Sequence, residues 1–555
     1  MYTARRNVLF NNHVRIGPSI FDRPCSCTAT LAEEERPLNS SDTDSKPIEA
    51  SFTIPKIKVE GKKTRKPASN TLRQPPADHR DLGVAQGLFT TSPYSAGSPL
   101  FLPNGSDMFL KLANCLRGLY PQYGFREVIT PTIYKKSLWE KSGHWENYAE
   151  DMFEVRGRGA SGQKADAEIG EDESFGLKPM NCPGHCLLFA SEKRSYRHLP
   201  IRYADFSALH RNEISGALSG LTRVRRFHQD DGHIFCRPSQ IEAEIKKTME
   251  FIELVYSRIF NLGPYRLVLS TRPHDNYMGT QEEWDNAEAQ LKAALDHSGL
   301  EWSINEGDGA FYGPKIDIIL KDSDGKEHQT ATIQLDFQLP QRFGLEYIAP
   351  APELERKGAV TTDTDPELLK KSGPVTPVII HRAILGSFER FMALLVENYN
   401  GRYPFWISPR PMAILTVSES EEELQYVERI KETVRQWPNE DDDKFANAHN
   451  LPVMGSPIPI HIDVDSTARQ LGKKLLNAKK KGYNFILVVG KKDVENQTVS
   501  LEISNQHIRD LKVFIHQLQN IGPVELHQQK DGKYQGLIAL SALQKLVSRL
   551  QRFYL

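Results

Sequence analysis

The chain has 555 residues, of which 39% are hydrophobic and 25% are charged, and its formal net charge is −1 at pH 7. This length suffices for several domains, and the composition is that of an ordinary globular protein. The absence of any run of about 18 apolar residues predicts no membrane span, and the near-neutral charge neither indicates nor excludes nucleic-acid binding. Six cysteines are too few for a disulfide scaffold and indicate a reducing compartment.

The N-terminal segment differs in composition from the rest of the chain. Residues 1–21 contain no Asp or Glu and mix basic with apolar side chains: Arg5, Arg6, Val8, Leu9, Phe10 and Arg15. This composition predicts a mitochondrial transit peptide over residues 1–30, because a secretory signal needs a longer apolar core. An untargeted disordered tail is the alternative. Residues 31–77 are rich in Ser, Pro, Lys and Thr and are predicted to be a disordered linker.

The middle of the chain mixes helical and strand patterns. Apolar spacing and alternation predict the following elements, in chain order: a helix over 107–120, an extended segment over 125–131, antiparallel strands over 199–213 and 221–236, a strand over 330–337, and a helical stretch from 381 to 399 after Pro377–Ile380. Two polar, Gly- or charge-rich segments, 156–174 and 351–374, are predicted to be surface insertions.

Beyond Pro409-Arg410-Pro411 the pattern changes. Strand and helix signals alternate there: strand 413–417, helix 421–437, strand 458–464, helix 467–481 and strand 485–489. This alternation predicts a small doubly wound α/β domain. The predicted folded domains are therefore 78–408 and 409–555. The second helix ends in a basic cluster that is either a solvated face or a phosphate contact: Lys473, Lys474, Lys479, Lys480 and Lys481.

One predicted strand carries functional side chains at alternate positions. They are Arg223, Arg225, Phe227, Gln229, Asp231 and His233. A regular strand places all six on one face, where they could hold a nucleotide and a small polar substrate. The alternative is a charged strand that faces solvent, but an aromatic side chain has no reason to lie on such a face.

Three residues far apart in the sequence are suited to bind zinc. They are Cys182, His233 and His381, each in a segment rich in arginine, glutamine or carboxylate. A catalytic zinc usually has three protein ligands and an open fourth position, whereas a structural zinc has four ligands. If these residues meet, we expect the metal to lie in an active site. His185 and Cys186 are close in sequence but are expected to serve packing.

Several motifs resemble those of class II aminoacyl-tRNA synthetases. His210-Arg211-Asn212-Glu213 with Arg223-Val224-Arg225 resembles motif 2, residues 381–391 resemble motif 3, and the strand ending at Pro131 resembles motif 1. Lys178-Pro-Met-Asn-Cys-Pro-Gly-His185 and Phe311-Tyr-Gly-Pro-Lys315 are similar to threonyl-tRNA synthetases in particular. The resemblance covers residues 78–555.

This resemblance implies a fold and a function. The fold is an α+β catalytic domain, with a class II antiparallel sheet flanked by helices, and a C-terminal α/β anticodon-binding domain. The implied activity is formation of threonyl-adenylate from L-threonine and ATP, followed by transfer of threonine to tRNA(Thr) in the mitochondrial matrix. One Zn²⁺ per subunit and Mg²⁺ with ATP are implied as cofactors, and motif 1 implies a homodimer.

The resemblance also implies a role for individual positions. Zinc ligands would be Cys182, His233 and His381. The threonine pocket would be formed by Met180, Gln229, Asp231, Tyr312 and Gln334. ATP contacts would come from Arg211, Glu213, Arg223, Phe227, Gln329 and Arg390, although a regular strand would put Gln329 and Gln334 on opposite faces. Arg211 and Arg390 would be catalytic, His144 would activate the terminal ribose of the tRNA, and Glu495 would contact the anticodon.

Alternative functions predict damage to these motifs. A synthetase-like RNA-binding protein without catalysis would be expected to lack Arg211, Arg390 or the zinc triad, which are all present. A synthetase for another amino acid is disfavoured by the three metal ligands. Many relatives carry an N-terminal domain that hydrolyses seryl-tRNA. Residues 1–77 contain no His-x-x-x-His, so we expect no editing of that kind in cis.

Overall fold

The computed structural model describes most of the chain from Ala77 onwards. The described residues are 77–157, 174–275, 277–359, 366–435, 460–507, 514, 518, 521–522, 524–528 and 534–555, and they belong to the compact unit Arg73–Leu555. The predicted transit peptide, almost all of the predicted linker and most of the 156–174 insertion lie outside them. Within these ranges no helix has the length and apolar character needed to cross a membrane.

The first and larger part of the described chain contains the elements up to residue 398. Its helices are α1 His79–Gln86, α2 Pro103–Leu119, α3 Lys136–Ser142, α4 His144–Asn147, α5 Cys182–Ala190, α6 Ile241–Glu253, α7 Gln281–Ser298, α8 Gln338–Phe343, α9 Pro352–Arg356, α10 Pro366–Leu369 and α11 Phe388–Asn398. Its strands are β1 Phe89–Thr90, β2 Leu100–Phe101, β3 Arg126–Glu127, β4 Ile133–Lys135, β5 Glu154–Val155, β6 Phe175–Leu177, β7 Arg194–Ser195, β8 Ile201–Asp205, β9 Ala208–His210, β10 Arg226–Cys236, β11 Arg266–Ser270, β12 Trp302–Asn305, β13 Lys315–Lys321, β14 Glu327–Asp336, β15 Tyr347–Pro350, β16 Ser372–Val375 and β17 Val378–Ser387.

A nine-stranded sheet organises this part of the molecule. Its strand order is β12-β11-β13-β14-β17-β10-β8-β3, and β9 also pairs with β10. The central pairs are all antiparallel, which confirms the antiparallel catalytic sheet. Parallel pairs occur only near its two ends, between β11 and β12 and between β3 and β8.

The prediction of a helical stretch from residue 381 was wrong at its beginning. β17 continues to Ser387, and α11 begins only at Phe388, where the Ser387 hydroxyl accepts a hydrogen bond from the Arg390 N–H (3.2 Å). β17 is buried along nearly its whole length. A strand covered on both faces shows no polar alternation, so its apolar run resembles a buried helix.

The 351–374 segment is not a purely solvated insertion. It contains α9, α10 and part of β16, with residues 360–365 outside the described set. Glu355 on α9 is only 1% exposed. Its carboxylate accepts hydrogen bonds from the Arg237 guanidinium (2.5 and 2.6 Å) and from the Tyr347 hydroxyl (2.8 Å). This buried ion pair attaches the small sheet β16-β15-β7 to the end of β10.

The elements beyond Pro411 form a second, mixed sheet of six strands. The strands are β18 Met412–Thr416, β19 Ile462–Asp465, β20 Phe485–Val489, β21 Thr498–Ile503, β22 Val524–Gln528 and β23 Tyr534–Ala539, in the order β19-β18-β20-β21-β23-β22. The helices are α12 Glu421–Arg435, α13 Leu471–Lys481, α14 Lys491–Asn496 and α15 Leu540–Arg552. Side chains of α12 and α15 belong to one apolar cluster against the sheet, and α13 contributes to another. The α/β character is confirmed, and three antiparallel strands extend the predicted parallel part.

Candidate active site

One pocket of about 350 Å³ collects the predicted substrate-binding residues. It is formed largely by β10, β13, β14 and β17 with the segments that flank them. The predicted residues that line it are Met180, Cys182, Arg211, Glu213, Arg223, Phe227, Gln229, Asp231, His233, Tyr312, Gln329, Gln334, His381 and Arg390. Their roles stay predictions, but the structure brings all of them to one cavity.

Cys182, His233 and His381 form a buried polar cluster in the wall of this pocket. Their ligand atoms lie within 4.8 Å of one another, and all three side chains are buried. His233 Nε2 and His381 Nδ1 are 2.8 Å apart, because β10 and β17 pair in a register that sets the two histidines opposite each other. Cys182 is the first residue of α5, where the helix dipole favours a thiolate.

The chemistry of these three donors fits a metal ion. Burial, with His381 and His185 nearby, holds the pKa of His233 well below its usual value, so the ring is neutral and has a lone pair to donate. Burial also raises the pKa of the Cys182 thiol well above its usual value. A bound cation reverses that effect, since a coordinating thiol loses its proton. A soft thiolate with two imidazoles is a typical zinc ligand set.

The predicted threonine contacts surround the cluster. Asp231 is buried, which raises the pKa of its carboxyl, and its Oδ2 accepts a hydrogen bond from Asn181 Nδ2 (3.1 Å). Gln334 donates to the carbonyl of Gly313 (3.0 Å). The Tyr312 ring lies 5.0 Å from the ring of His381. A small polar molecule in contact with the metal donors would therefore also meet a carboxylate, an amide and an aromatic wall.

Cationic side chains dominate the other half of the pocket. The Arg211 guanidinium lies over the Phe227 ring, 5.1 Å from its centroid, and Arg223 forms an ion pair with Glu213 (2.7 Å). Arg390 donates to the carbonyls of Thr222 (3.0 Å) and Gln329 (2.9 Å). Burial, with Arg211 and Arg223 nearby, lowers the pKa of Arg390. Three arginines converging on one cavity are suited to bind a polyphosphate.

The expected single face of alternating side chains is only partly correct. Phe227, Gln229, Asp231 and His233 lie on β10 and line the pocket. Arg223 lines it from the loop that precedes the strand. Arg225 points elsewhere, because its guanidinium binds the Glu213 carbonyl (2.9 Å) and the Ser215 hydroxyl (3.1 Å).

Gln329 and Gln334 both line the pocket despite their opposite parity on β14. The pairing of β13 with β14 shifts register between Asp317, which faces Thr332, and Ile319, which faces Gln329. β14 therefore contains an extra residue there, and such a bulge reverses the alternation of side chains. The sequence could not indicate this irregularity.

His144 lies beside the metal donors but does not line the pocket surface. It is fully buried, with Nδ1 2.8 Å from the Ser142 hydroxyl and Nε2 3.8 Å from Cys182 Sγ. Burial lowers its pKa to about 3. A role of this ring at the ribose of the tRNA stays a prediction.

Sequence reasoning missed a buried polar network behind the pocket. Lys178 Nζ donates to the hydroxyls of Thr130 (2.8 Å) and Ser207 (2.5 Å) and lies 3.7 Å from Asp205. Asp205 also accepts hydrogen bonds from the hydroxyl and N–H of both Thr130 and Ser207. The only available signal was an isolated lysine in the Lys178–His185 motif. The network fixes that motif against the extended segment that ends at Pro131.

Asp230 was also missed, although it adjoins a predicted site residue. It is fully buried and accepts hydrogen bonds from three consecutive backbone N–H groups of β17, at Ile384 (2.6 Å), Leu385 (2.9 Å) and Gly386 (3.0 Å). Burial raises its pKa to about 6, against the opposite effects of Arg382 and these donors. The carboxylate thereby holds the bulged part of β17 that leads into α11 and Arg390.

In the second sheet the predicted RNA-contacting residues are partly exposed. Glu495 lies exposed on α14. Lys474 departs from the predicted basic face, because it is buried and donates to the Thr416 carbonyl (2.9 Å). Lys479 forms an ion pair with Glu502 (2.8 Å). Lys473, Lys479, Lys480 and Lys481 are the exposed residues of the cluster.

Fold and pocket together define a class II aminoacyl-tRNA synthetase. Residues 166–361 match the tRNA synthetase class II core domain (G, H, P, S and T), and residues 412–512 match the anticodon binding domain. The chain belongs to the threonine–tRNA ligase family. It is 46% identical over 458 residues to the probable mitochondrial threonine–tRNA ligase of Schizosaccharomyces pombe, covering 81% of this chain and 90% of that protein.

Other relatives agree with this assignment. The mitochondrial threonine–tRNA ligase of Saccharomyces cerevisiae is 43% identical over 449 residues, which is 79% of this chain and 89% of that protein. A crystal structure described as the RNA binding domain of threonyl-tRNA synthetase from Cryptosporidium parvum is 39% identical with a TM-score of 0.65, covering 86% of this chain and 98% of that one. Prolyl-tRNA synthetase from Giardia lamblia, at 15% identity and a TM-score of 0.54 over 86% of this chain and 82% of its own, shares the fold.

Proposed function

We propose that this chain activates L-threonine with ATP to form threonyl-adenylate and transfers the threonyl group to the 3′ end of tRNA(Thr) in the mitochondrial matrix. The observation that carries the proposal is the meeting of a three-ligand metal cluster with converging arginines in one pocket. The two mitochondrial relatives, each matched over about nine-tenths of its length, support the compartment.

The first half-reaction joins the amino-acid carboxylate to the α-phosphorus of ATP and releases pyrophosphate. Negative charge accumulates on the phosphate oxygens during this in-line displacement, so catalysis depends on fixed positive charge and on Mg²⁺ that arrives with the nucleotide. Arg211 lines the pocket and would bridge the α-phosphate and the carboxylate. Arg223 and Arg390 would hold the polyphosphate, with Phe227 stacked on adenine and Glu213 accepting from its amino group.

The metal donors give the pocket its selectivity in this proposal. Cys182, His233 and His381 would hold one Zn²⁺, and the amino and hydroxyl groups of threonine would complete its coordination. Valine has a methyl group in place of the hydroxyl, and a methyl group cannot coordinate the metal. Serine lacks only a methyl group, and a difference of that size is worth about 1–3 kcal/mol, or roughly 10–200-fold. The site therefore rejects valine much better than serine.

ATP–pyrophosphate exchange tests the activity directly. We expect exchange that depends on threonine, is weaker with serine, is negligible with valine or proline, and is lost after treatment with a zinc chelator. Cys182→Ser should lose zinc and exchange, whereas Cys186→Ser is a matched control, because Cys186 is equally buried on α5 but lies outside the metal cluster. Exchange that needs no threonine, or that survives chelation, contradicts the proposal.

A homodimer through the motif 1 region forms part of the proposal. The nine-stranded sheet ends at the two-residue strand β3, and Ile129 just beyond it is 87% exposed. Tyr94 is fully exposed, and Leu110 on α2 is 53% exposed. Ile129 thus lies exposed just beyond the edge of the sheet, and an exposed large apolar side chain there is typical of a surface that another chain covers.

Sedimentation analysis of charge-introducing variants tests the dimer. Ile129→Asp should convert a wild-type dimer into monomers at micromolar concentration. Leu476→Asp is a matched control, since Leu476 is 70% exposed on α13 of the second sheet. A monomeric wild type, or a dimeric Ile129→Asp variant, would exclude this interface.

The second sheet would bind the anticodon stem of tRNA(Thr). Exposed lysines at the end of α13 would contact phosphates, and Glu495 on α14 would contact a base. Lys480→Glu should raise the KM for tRNA in aminoacylation and leave threonine-dependent ATP–pyrophosphate exchange unchanged, because the exchange reaction needs no tRNA. An unchanged KM for tRNA contradicts this placement of the RNA.

A further inference from the structure

We propose that Asp336 is a positioning residue of the metal site, which holds His381 in the tautomer and orientation that metal binding requires. This inference rests on the metal site of the proposed function. Asp336 is the last residue of β14, is fully buried, and does not line the pocket. It therefore acts on the metal through His381 and has no direct contact with substrate.

The Asp336 carboxylate is held from two sides. Oδ2 lies 2.7 Å from His381 Nε2, while Oδ1 accepts hydrogen bonds from the N–H groups of Gln338 (2.7 Å) and Leu339 (3.0 Å) at the start of α8. A carboxylate only accepts hydrogen bonds, so His381 Nε2 carries the proton of the neutral ring. The lone pair is then on Nδ1, which is the atom that faces His233 Nε2 at 2.8 Å.

The second histidine of the cluster has no such support. The Nδ1 atom of His233 has no hydrogen-bond partner among the described residues. The nearby carboxylate of Asp231 lies 3.8 Å away, beyond hydrogen-bonding distance, and accepts a hydrogen bond from Asn181 instead. The Asp336 carboxylate is thus used to hold His381, whereas the Asp231 carboxylate can still accept a hydrogen bond from the amino acid. Because carboxylate partners of ligating histidines commonly contribute 10–100-fold to metal affinity, Asp336 should carry most of this effect.

The chain contains a closely matched control pair. Asp322 Oδ2 lies 2.7 Å from His328 Nε2, and Asp322 Oδ1 accepts hydrogen bonds from the N–H groups of Asp324 (3.1 Å) and Lys326 (2.8 Å). The pair repeats the arrangement of Asp336 at the opposite end of β14. Gln334 is the residue of β14 that pairs with His381. His328 lies six residues before it, which is about 20 Å along the strand at about 3.3 Å per residue.

Zinc affinity of the full-length protein distinguishes the two carboxylates. Asp336→Asn can keep its carbonyl oxygen toward the α8 N–H groups, and its NH₂ group then faces His381 and favours the tautomer with a proton on Nδ1. We expect zinc binding, measured by chelator competition, to weaken about 10–100-fold and the visible spectrum of the cobalt-substituted protein to change. Asp322→Asn should match the wild type in both measurements. Excess zinc should restore threonine-dependent exchange in Asp336→Asn.

The outcomes separate this inference from the function on which it rests. Wild-type zinc affinity together with a wild-type cobalt spectrum in Asp336→Asn overturns the role of Asp336. A wild-type protein that binds no zinc overturns the metal site itself. Should Asp336→Asn lose its fold, as judged by circular dichroism, Asp336→Ser keeps a hydroxyl acceptor near the start of α8 and is too short to reach His381. This variant should also show the loss of zinc affinity, and if it binds zinc normally the inference is wrong.

Discussion

Replacing Lys178 by methionine tests how far the pocket depends on the network behind it. Methionine has nearly the length of lysine but neither charge nor hydrogen-bond donors. The change removes the hydrogen bonds from Nζ to the hydroxyls of Thr130 and Ser207 (2.8 and 2.5 Å) and the cation 3.7 Å from Asp205. Lys178 and Asp205 are at most 1% exposed, so water cannot replace the lost partner.

The magnitude follows from two opposing effects. Removing one partner of a buried ion pair costs about 3–5 kcal/mol. Asp205 keeps its four other donors in the variant, and burial already disfavours the charged lysine, whose pKa it lowers. We therefore expect a loss at or just below the lower limit, about 2–3 kcal/mol of the free energy of unfolding. The KM for threonine should rise as well, because Lys178 leads directly into Met180 and Cys182 of the pocket.

Urea unfolding and steady-state kinetics measure the two effects. Lys111→Met is a matched control, because Lys111 is also buried and donates to the Ser408 carbonyl (2.7 Å), while its carboxylate partner Asp107 is partly exposed. This control should lose stability and keep the wild-type KM for threonine. A Lys178→Met variant within about 0.5 kcal/mol of wild type, the usual effect of a surface substitution, would refute the importance of the network.

Three further predictions concern the pocket and its support. Arg390→Lys keeps the charge but cannot bind the carbonyls of both Thr222 and Gln329, so the rate of ATP–pyrophosphate exchange should fall about 10²–10³-fold with an unchanged circular dichroism spectrum; a fall of less than tenfold contradicts the assigned role. Asp231→Asn removes a charged acceptor worth about 1.5–3 kcal/mol and should raise the KM for threonine roughly 10–150-fold while the KM for ATP stays constant. Burial raises the pKa of Asp205, but hydrogen bonds from neighbouring side chains outweigh it and hold that pKa below its usual range. This stabilisation is present above the unfolded pKa of about 3.9 and is lost as the pH falls, so acid unfolding should be steeper below about pH 4 in the wild type than in Asp205→Asn, and equal slopes would be contrary evidence.

Local alternation was sufficient to predict which side of β10 lines the pocket. Phe227, Gln229, Asp231 and His233 lie on a regular strand, and a regular strand has a side-chain period of two residues. Their polar and aromatic character predicts that this face is a binding surface. The sequence did not indicate the partner strand, and the register of β10 with β17 is what brings His233 and His381 together.

Irregular pairing limited the same reasoning elsewhere. The bulge in β14 reverses parity between Gln329 and Gln334, and no local signal in the sequence marks it. β17 was mistaken for helix at its carboxyl end because both of its faces are covered. In both cases the deciding contacts come from strands distant in sequence.

Buried polar partners were the least predictable part of the site. Asp205 and Asp336 look like any other acidic residue in the sequence, and their functions follow only from what lies opposite them in space. Asp336 pairs with His381 across two adjacent strands. Asp205 meets Lys178 through a loop and a strand that have no local relation. Each of these buried charges needs a partner, because an unpaired charge at such a position would reduce the free energy of unfolding.

Asp230 shows that the substrate face and the opposite face of β10 depend on each other. Gln229 on β10 pairs with Ser387 on β17, and Asp231 pairs with Ala383, so β17 contains extra residues opposite this part of β10. These residues form a bulge in which backbone N–H groups of β17 face Asp230. Asp230 accepts hydrogen bonds from three of them. An apolar residue at position 230 would leave these buried donors unpaired, at about 1–3 kcal/mol each, and the bulge would relax toward a regular strand. Arg390 follows this bulge on α11, so a carboxylate that does not line the pocket helps to set the position of an arginine that does.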